Sequence, residues 1–190
     1  MGNIRLNTCS NEADWIRVAP IDRLGGEMSR LERFIWRLQA QRACLEAARR
    51  LVRDLEGPVL EFGLGNGRTY DHLRLLFPDR EIFVFERKPA AGPEFTPDAR
   101  HLIIGDLADT LPRTGDEMPA RAVLVHSDVG SADPERDRRL SVWLAGVLPP
   151  LVLARGLVVS DRELASTALL SLPLPSPAKP GDYFFYCRAG

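Results

Sequence analysis

Lysine is scarce in this sequence. The sequence has two lysines, Lys88 and Lys179, but 23 arginines. Because arginine is used so widely, an arginine does not by itself indicate a phosphate-binding site. The formal net charge is -1, which excludes the strongly basic surface expected of a nucleic-acid-binding protein. Cysteine is scarce too. The three residues, Cys9, Cys44 and Cys187, form no closely spaced pair, which argues against a zinc site or a disulfide framework and for a reducing compartment.

Long apolar runs are also missing. No window approaches the roughly 20 apolar residues that cross a bilayer, and no basic stretch followed by an apolar one marks a secretory leader. We therefore expect a cytoplasmic protein without a membrane partner. The chain has 190 residues, 45% of them hydrophobic, which is enough for one core and predicts a single domain over residues 1–190.

The first pattern that is present is helical. Residues 28–55 contain neither Pro nor Gly, and apolar side chains recur there at three- and four-residue intervals: Leu31, Ile35, Leu38, Leu45, Ala48, Val52 and Leu55. Gly57-Pro58 ends this helix. It is longer than an ordinary domain helix, so two interpretations stay open: it covers the sheet, or part of it meets a partner subunit in a homo-oligomer. Residues 1–56 are thus predicted to be a helical N-terminal extension.

Short, nearly continuous apolar runs follow at residues 59–62, 82–85, 102–104, 122–125 and 157–159. Such runs are typical of parallel strands that are covered on both faces. Segments 68–77 and 134–148 have helical composition, and the alternation predicts a doubly wound, mostly parallel α/β sheet over residues 57–190. Two last runs, at 168–174 and 183–188, are joined by a Pro-rich link with no room for a helix. They predict an antiparallel C-terminal strand pair at the sheet edge.

Three glycines follow the first strand at alternate positions, Gly63, Gly65 and Gly67. At the junction between a buried strand and a helix, glycine allows a tight turn and lets a ligand approach bare backbone. The free N–H groups of the helix that follows favour negative charge. The loop therefore predicts a nucleotide-binding site.

Acidic residues flank this loop in the sequence. Glu61 stands two residues before Gly63, where a carboxylate can face the cationic end of a ligand. Glu86 ends the second strand, 19 residues after Gly67, and an acid at that place accepts hydrogen bonds from ribose hydroxyls. Dinucleotide folds use G-x-G-x-x-G here, but the sixth position of this loop is Arg68.

These residues resemble the class I S-adenosylmethionine-dependent methyltransferases. The first motif of that family, acid-x-G-x-G-x-G, matches residues 61–67, its second-strand acid matches Glu86, and its G-D motif matches Gly105-Asp106. The resemblance covers residues 57–165 and implies a Rossmann-like methyltransferase fold with S-adenosylmethionine as cofactor. It also implies that Asp106 reaches the adenine amino group and that the backbone N–H of Leu107 contacts the ring.

The fourth and fifth strands each end in an acid, Asp128 and Asp161. Ligands bind at the carboxyl ends of strands in open α/β sheets, so both carboxylates are candidates for the catalytic site. Two carboxylates on adjacent strand ends are a donor set that suits Mg²⁺, as in the metal-dependent O-methyltransferases that this pair resembles. Arg162 stands where that resemblance expects Asp or Asn, and its charge disfavours the metal.

Two further side chains are candidates on chemical grounds. His126 lies at the end of the fourth strand, and its ordinary pKa of about 6.5 suits a general base; packing at the strand end is the alternative. Tyr70 follows the loop by three residues and is a candidate contact for the cofactor's carboxylate or for the acceptor.

The leading hypothesis is an S-adenosylmethionine-dependent methyltransferase with a small-molecule acceptor, with transfer to oxygen slightly favoured over nitrogen. One alternative is a protein that binds the cofactor without transferring the methyl group, since no Asn-Pro-Pro-Tyr motif follows the fourth strand. An NAD-dependent oxidoreductase is a weaker alternative because of Arg68 and the Gly105-Asp106 loop. The residues name no acceptor.

Overall fold

A computed structural model describes residues 28–118, 120–131 and 133–190. The predicted N-terminal extension therefore lies outside the described residues up to residue 27. The helices are α1 (Arg30–Leu51), α2 (Arg68–Leu76), α3 (Leu107–Glu117) and α4 (Pro134–Val147). The strands are β1 (Val59–Phe62), β2 (Ile82–Glu86), β3 (Leu102–Ile104), β4 (Ala122–Ser127), β5 (Val152–Ser160), β6 (Leu169–Ser171) and β7 (Phe184–Arg188).

All seven strands form one sheet in the order β3-β2-β1-β4-β5-β7-β6. Neighbours from β3 to β5 are parallel, whereas β7 runs antiparallel to β5 and β6 pairs antiparallel with β7. The predicted doubly wound, mostly parallel sheet with antiparallel C-terminal strands is confirmed. The strand order reverses between β1 and β4, and a ligand crevice is expected at the carboxyl ends of these two strands.

Two apolar layers cover the sheet. The layer against α1 and α2 includes Cys44, Leu73 and Val159, and the opposite layer, against α3 and α4, includes Leu111 and Leu144. Strand register places Glu61 of β1 beside His126 of β4. The second half of α1 packs against the strands in this apolar layer and therefore covers one face of the sheet.

Helix α1 is shorter than the predicted span of residues 28–55. It starts at a capping box in which Ser29 Oγ accepts from the Glu32 backbone N–H at 3.1 Å and the Glu32 carboxylate accepts from the Ser29 N–H. After Leu51 the Arg80 guanidinium donates to the carbonyls of Val52 and Leu55, which turns the chain away from the helix.

The apolar face predicted for α1 is buried only in its second half. Leu45, Ala48 and Val52 are fully buried, but Leu31 is 66% exposed and Ile35 is 44% exposed. Helix α1 has 22 residues and so spans about 33 Å, whereas a strand of four to six residues spans about 13–20 Å. Its first turns therefore extend past the carboxyl edge of the sheet.

Helix α3 was not predicted from the sequence. It follows directly on Asp106, whose carboxylate accepts from the Ala108 backbone N–H at 3.1 Å. Pro112 lies inside it, and a proline in a segment with Gly115 is a signal for a loop rather than a helix. No helix in the described ranges is long and apolar enough to span a membrane.

Candidate active site

A cleft of about 310 Å³ opens at the carboxyl edge of the sheet, where the strand order reverses. It brings together six of the residues singled out in the sequence: Gly63, Gly65, Glu86, Asp106, Leu107 and Asp128. Arg87, Val129, Gly130, Ser131 and Arg136 complete much of the lining. Residues from four separate segments of the chain thus converge on one concave site.

The glycine loop fits tightly between its neighbours. Gly63 has φ +92°, and a Cβ atom there would lie 2.6 Å from the backbone oxygen of Asp128. Gly67 has φ +82°, and its Cβ would lie 2.6 Å from the backbone oxygen of Phe95. Only glycine fits at these two positions. At Gly65, by contrast, a Cβ would meet no protein atom within 4 Å, so this side of the loop faces open space.

The Glu86 carboxylate ties the glycine loop to the end of β2. Its Oε2 accepts from the backbone N–H groups of Leu64 at 2.8 Å and Gly65 at 3.1 Å, and its Oε1 accepts from the Lys88 N–H at 2.8 Å. Each carboxylate oxygen can accept about two hydrogen bonds, so Oε1 keeps capacity for a ligand donor. The acid therefore fixes the loop and faces the cleft with one further acceptor position.

Asp106 and Leu107 lie across the cleft from the glycine loop at the start of α3. Asp106 is exposed, and one of its oxygens caps the helix. The cleft therefore presents two carboxylates, Glu86 and Asp106, beside open backbone at Gly65. This donor and acceptor set fits an adenosyl ligand with ribose hydroxyls and an exocyclic amine.

Three of the predicted cofactor residues do not line this cleft. Gly67 is buried at the N-cap of α2. Tyr70 is half-buried on α2 and packs against the apolar layer of α1 and α2. Glu61 is fully buried beneath the loop.

Glu61 forms a buried pair with His126. Its Oε2 lies 2.7 Å from His126 Nδ1, and both side chains have no exposed surface. Burial alone would lower the pKa of His126, but the Glu61 carboxylate outweighs burial and raises that pKa above its usual value. The pair therefore favours a protonated imidazole.

A buried polar network extends from this pair toward the cleft. The Nε2–H of the protonated His126 donates to the Tyr183 hydroxyl at 3.2 Å, and Gln41 Nε2, itself a donor that lies 3.2 Å from His126 Nε2, donates to Asp128 Oδ2 at 3.3 Å. Arg37 forms a hydrogen-bonded ion pair with Asp128 Oδ1. Both carboxylate oxygens of Asp128 and both ring nitrogens of His126 are thus engaged.

Asp161 lies beside Asp128 at the end of β5, where Ser160 pairs with Ser127. Its side chain is only 8% exposed, and Oδ1 is buried without a hydrogen bond to any described residue. Burial and the charge of Asp128 raise the pKa of Asp161 to about 6. The structure therefore brings the three predicted catalytic residues, Asp128, His126 and Asp161, into one cluster and leaves a free proton-accepting oxygen on Asp161.

Sequence reasoning missed Arg37, Gln41 and Tyr183. Arg37 and Gln41 stand on the stripe of α1 that continues to Cys44 and Ala48, and a polar side chain on an otherwise apolar stripe is the signal that would have found them. Nothing local marks Tyr183. It reaches His126 only because β7 inserts beside β5.

The cluster has positive charges where a cation would have to bind. Arg37 pairs with Asp128, and Arg162 Nη2 lies 3.5 Å from Asp161 Oδ2. Within residues 28–118, 120–131 and 133–190, no three His, Cys, Asp or Glu side chains are grouped so as to hold a metal ion. The donor set therefore does not suit the Mg²⁺ that the two acids would otherwise bind.

Comparisons with known proteins agree with this geometry. A family model described as S-adenosyl-L-methionine methyltransferase matches residues 28–188. The crystal structure of an S-adenosyl-L-methionine methyl transferase from Silicibacter pomeroyi DSS-3 is 45% identical, with a TM-score of 0.81, and the match covers 86% of this chain and all of that one.

More distant likenesses are to methyltransferases as well. The sugar N-methyltransferase KedS8 from Streptoalloteichus sp ATCC 53650 is 22% identical over 85% of this chain and 60% of its own, with a TM-score of 0.44. SAM-bound CalS10, an amino pentose methyltransferase from Micromonospora echinaspora, is 15% identical over 75% of this chain and 59% of its own, with a TM-score of 0.46. Neither bears on the acceptor of this chain, and no curated protein sequence matches it.

The family model spans most of the chain, and the glycine loop, Glu86 and Asp106 converge on one cleft where the family resemblance places the cofactor. The chain belongs to the S-adenosyl-L-methionine methyltransferase family.

Proposed function

We propose that this methyltransferase transfers the methyl group to a hydroxyl oxygen of a small molecule. One observation carries the choice of oxygen: Oδ1 of Asp161 is buried beside the cleft and accepts no hydrogen bond from any described residue. A hydroxyl acceptor must lose a proton during transfer, and a carboxylate oxygen without a donor supplies the place for it. Asp161 is the proposed catalytic proton acceptor, whereas Asp128 and His126, the other two catalytic candidates, are already paired with neighbouring side chains and act through their charges on Asp161.

We further propose which residues hold the cofactor. Glu86 accepts from the ribose hydroxyls and Asp106 from the adenine amine, while the Leu107 backbone N–H contacts the ring. Support comes from the lining of the cleft by all three. When bound, S-adenosylmethionine supplies a methyl group on an electrophilic sulfonium.

The remaining proposed cofactor residues form and support the glycine loop. Gly63 and Gly65 let the ligand approach the loop backbone, and Gly67 closes the turn behind them at the N-cap of α2, as their positive φ angles support. Glu61, two residues before Gly63, supports the loop from beneath in its buried pair with His126, and Tyr70 supports it by packing against the apolar layer of α1 and α2. The protein's own part in catalysis is alignment of the acceptor and exclusion of water.

Calorimetric titration with S-adenosylmethionine and, separately, with NAD tests the donor half of the proposal. We expect binding of S-adenosylmethionine and none of NAD. Release of S-adenosylhomocysteine in the presence of hydroxylated compounds, with methylation located on oxygen by mass spectrometry and NMR, tests the acceptor half. Binding without any methyl transfer would instead indicate a cofactor-binding protein.

Copies of the chain are also proposed to associate through the first turns of α1. Met28, Leu31 and Ile35 are 42%, 66% and 44% exposed, and apolar side chains concentrated on one exposed helix flank favour contact with another subunit. Sedimentation velocity on the wild type and on Leu31→Glu tests this. A wild-type monomer at micromolar concentration contradicts it.

A cytoplasmic location is proposed on the evidence of two free thiols. Cys44 is buried, Cys187 is half-buried, and neither forms a disulfide within the part of the chain that the structure describes, as is usual in a reducing compartment. Fractionation of expressing cells, followed by immunoblotting, is the test.

A further inference from the structure

A second cleft, of about 720 Å³, adjoins the cofactor cleft. Ser131 lines both of them. The second cleft lies between the start of α4 and the segment that follows β5, and Asp161 and Arg162 belong to its lining. Two adjoining clefts that meet at one loop are the arrangement that a two-substrate transfer requires, because donor and acceptor must approach each other.

The floor of the second cleft is a fixed polar chain. Arg162 Nη2 lies 2.9 Å from Asp137 Oδ2, and Asp137 Oδ1 accepts from the backbone N–H of Ser131 at 2.9 Å and from its hydroxyl at 2.8 Å. Asp137 and Arg162 are 9% and 21% exposed, so these contacts are largely shielded from water. Ser141 and Arg138 add further polar groups to the lining, and Pro134, Val142 and Ala165 add apolar ones.

Asp161 lines the second cleft and lies beside a residue of the cofactor cleft. A Cβ atom on Gly130, which lines the cofactor cleft, would lie 2.9 Å from Asp161 Oδ2 and 2.1 Å from Arg162 Nη2. Gly130 is therefore in direct contact range of both side chains. The same carboxylate also lines the second cleft.

The surroundings of Asp161 distinguish it from the other two candidates. Asp128 is paired with Arg37 and Gln41, and His126 is paired with Glu61 and Tyr183. The charges of Asp128, Arg37, His126 and Arg162 all act on Asp161, yet its Oδ1 makes no hydrogen bond with the described residues. A buried polar atom without a partner is a place where a ligand donor is expected.

We propose that the second cleft binds the methyl acceptor, a small polar molecule with a hydroxyl group, and that this hydroxyl donates to Oδ1 of Asp161. The inference rests on the proposed function. The acceptor oxygen forms the new bond to the methyl carbon while the S–C bond breaks and its electron pair stays on sulfur. The hydroxyl proton passes to the Asp161 carboxylate and then to water. Ionisation of Asp161 near pH 6 supplies this acceptor at neutral pH.

The experiment uses the full chain with S-adenosylhomocysteine bound. Methyl glucoside, lactate and catechol serve as hydroxylated probes, each with an analogue that lacks the hydroxyl, and binding is measured by saturation-transfer NMR. We expect a polar hydroxylated probe to bind and its deoxy analogue not to bind. Asp161→Asn and Ser141→Phe, which places a ring in the second cleft at a different lining residue, should each weaken that binding at least tenfold.

The second readout is methyl transfer from S-adenosylmethionine to whichever hydroxylated probe binds. Asp161→Asn should lower S-adenosylhomocysteine release at least 100-fold, whereas Asp161→Glu should retain part of the rate with a shifted acidic limb in the pH profile. Asp79→Asn, an exposed acid at the opposite edge of the sheet, is the matched control and should behave as wild type.

Two results overturn the inference. Either no hydroxylated probe binds with an affinity that Ser141→Phe lowers, or the turnover rate of Asp161→Asn stays within threefold of the wild-type rate. Location of the transferred methyl group by mass spectrometry and NMR separates this failure from failure of the proposed function, because methylation on oxygen is detected whichever cleft holds the acceptor.

Discussion

Nδ1 of His126 and Oε2 of Glu61 lie 2.7 Å apart, with neither side chain exposed to solvent. The pair connects β4 to β1 beneath the glycine loop. Removing one member of a buried ion pair leaves an uncompensated charge, which costs about 3–5 kcal/mol.

We therefore expect His126→Ala to lower the free energy of unfolding in urea by about 3–5 kcal/mol. The double variant Glu61→Leu/His126→Leu should recover most of that loss, because it leaves no buried charge. Single and double variants of equal stability would show that the pair carries no charge in the folded protein.

Glu86→Ala should weaken binding of S-adenosylmethionine by about 1–3 kcal/mol through the loss of charged hydrogen bonds. Isothermal titration calorimetry measures this directly. Glu56→Gln, an exposed acid outside the cleft, is the control. An unchanged dissociation constant in Glu86→Ala would remove Glu86 from the site.

Two glycine substitutions should separate ligand binding from folding. Gly65→Ala meets no protein atom and costs only the left-handed backbone penalty of about 1–2 kcal/mol, but its methyl group enters space beside the cleft. It should fold and lose cofactor affinity. Gly67→Ala collides with the Phe95 backbone and should lower thermal stability more than Gly65→Ala does. The reverse order of melting temperatures would contradict the loop geometry.

Asp161→Asn should stabilise the protein at neutral pH. The pKa of Asp161 is about 6 in the folded state against an ordinary value of 3.8, so a raised carboxyl pKa penalises the folded wild type as pH rises. The contribution of protonated Asp161 to the free energy of unfolding is fully present below about pH 4 and is lost as the pH rises to about 6. The difference between Asn variant and wild type should grow to about 3 kcal/mol, at about 1.4 kcal/mol per pH unit between the two values. Urea unfolding at pH 4 and pH 8 checks the sign.

Methyl transfer should not respond to EDTA or to added Mg²⁺. The reason is that Arg37 already pairs with Asp128 and Arg162 lies beside Asp161. The assay is release of S-adenosylhomocysteine with and without each addition. Activity lost in EDTA and restored by Mg²⁺ would contradict this reasoning.

The donor half of the site could be predicted from the sequence because its chemistry lies in local patterns. A glycine after a strand, an acid at a strand end and a Gly-Asp pair can each be recognised within a few residues of sequence, and the glycine at that place, Gly63, indeed has φ +92°. The mostly parallel, doubly wound sheet, though not its strand order, followed from the alternation of apolar runs and helical segments. Helix α3 was not predicted because it contains Pro112, and a proline in a sequence normally indicates the end of a helix or a loop.

The acceptor half could not be predicted in the same way. Arg37, Gln41 and Tyr183 come from α1 and from the segment before β7, and they meet His126 and Asp128 only through the tertiary fold. The sequence names Asp128, His126 and Asp161 as equivalent candidates. Only their partners distinguish them, and the partners of Asp128 and His126, which lie 57 to 91 residues away in the sequence, leave no local signal.

The contacts of Glu86 with Leu64 and Gly65 have a consequence for the speed and entropy of ligand capture. The loop is held by its own protein before a ligand arrives, so binding does not have to order a mobile segment. Preorganisation of this kind removes an entropic cost from association. Cofactor capture by this chain should therefore follow simple second-order kinetics, with no slow loop-closing phase.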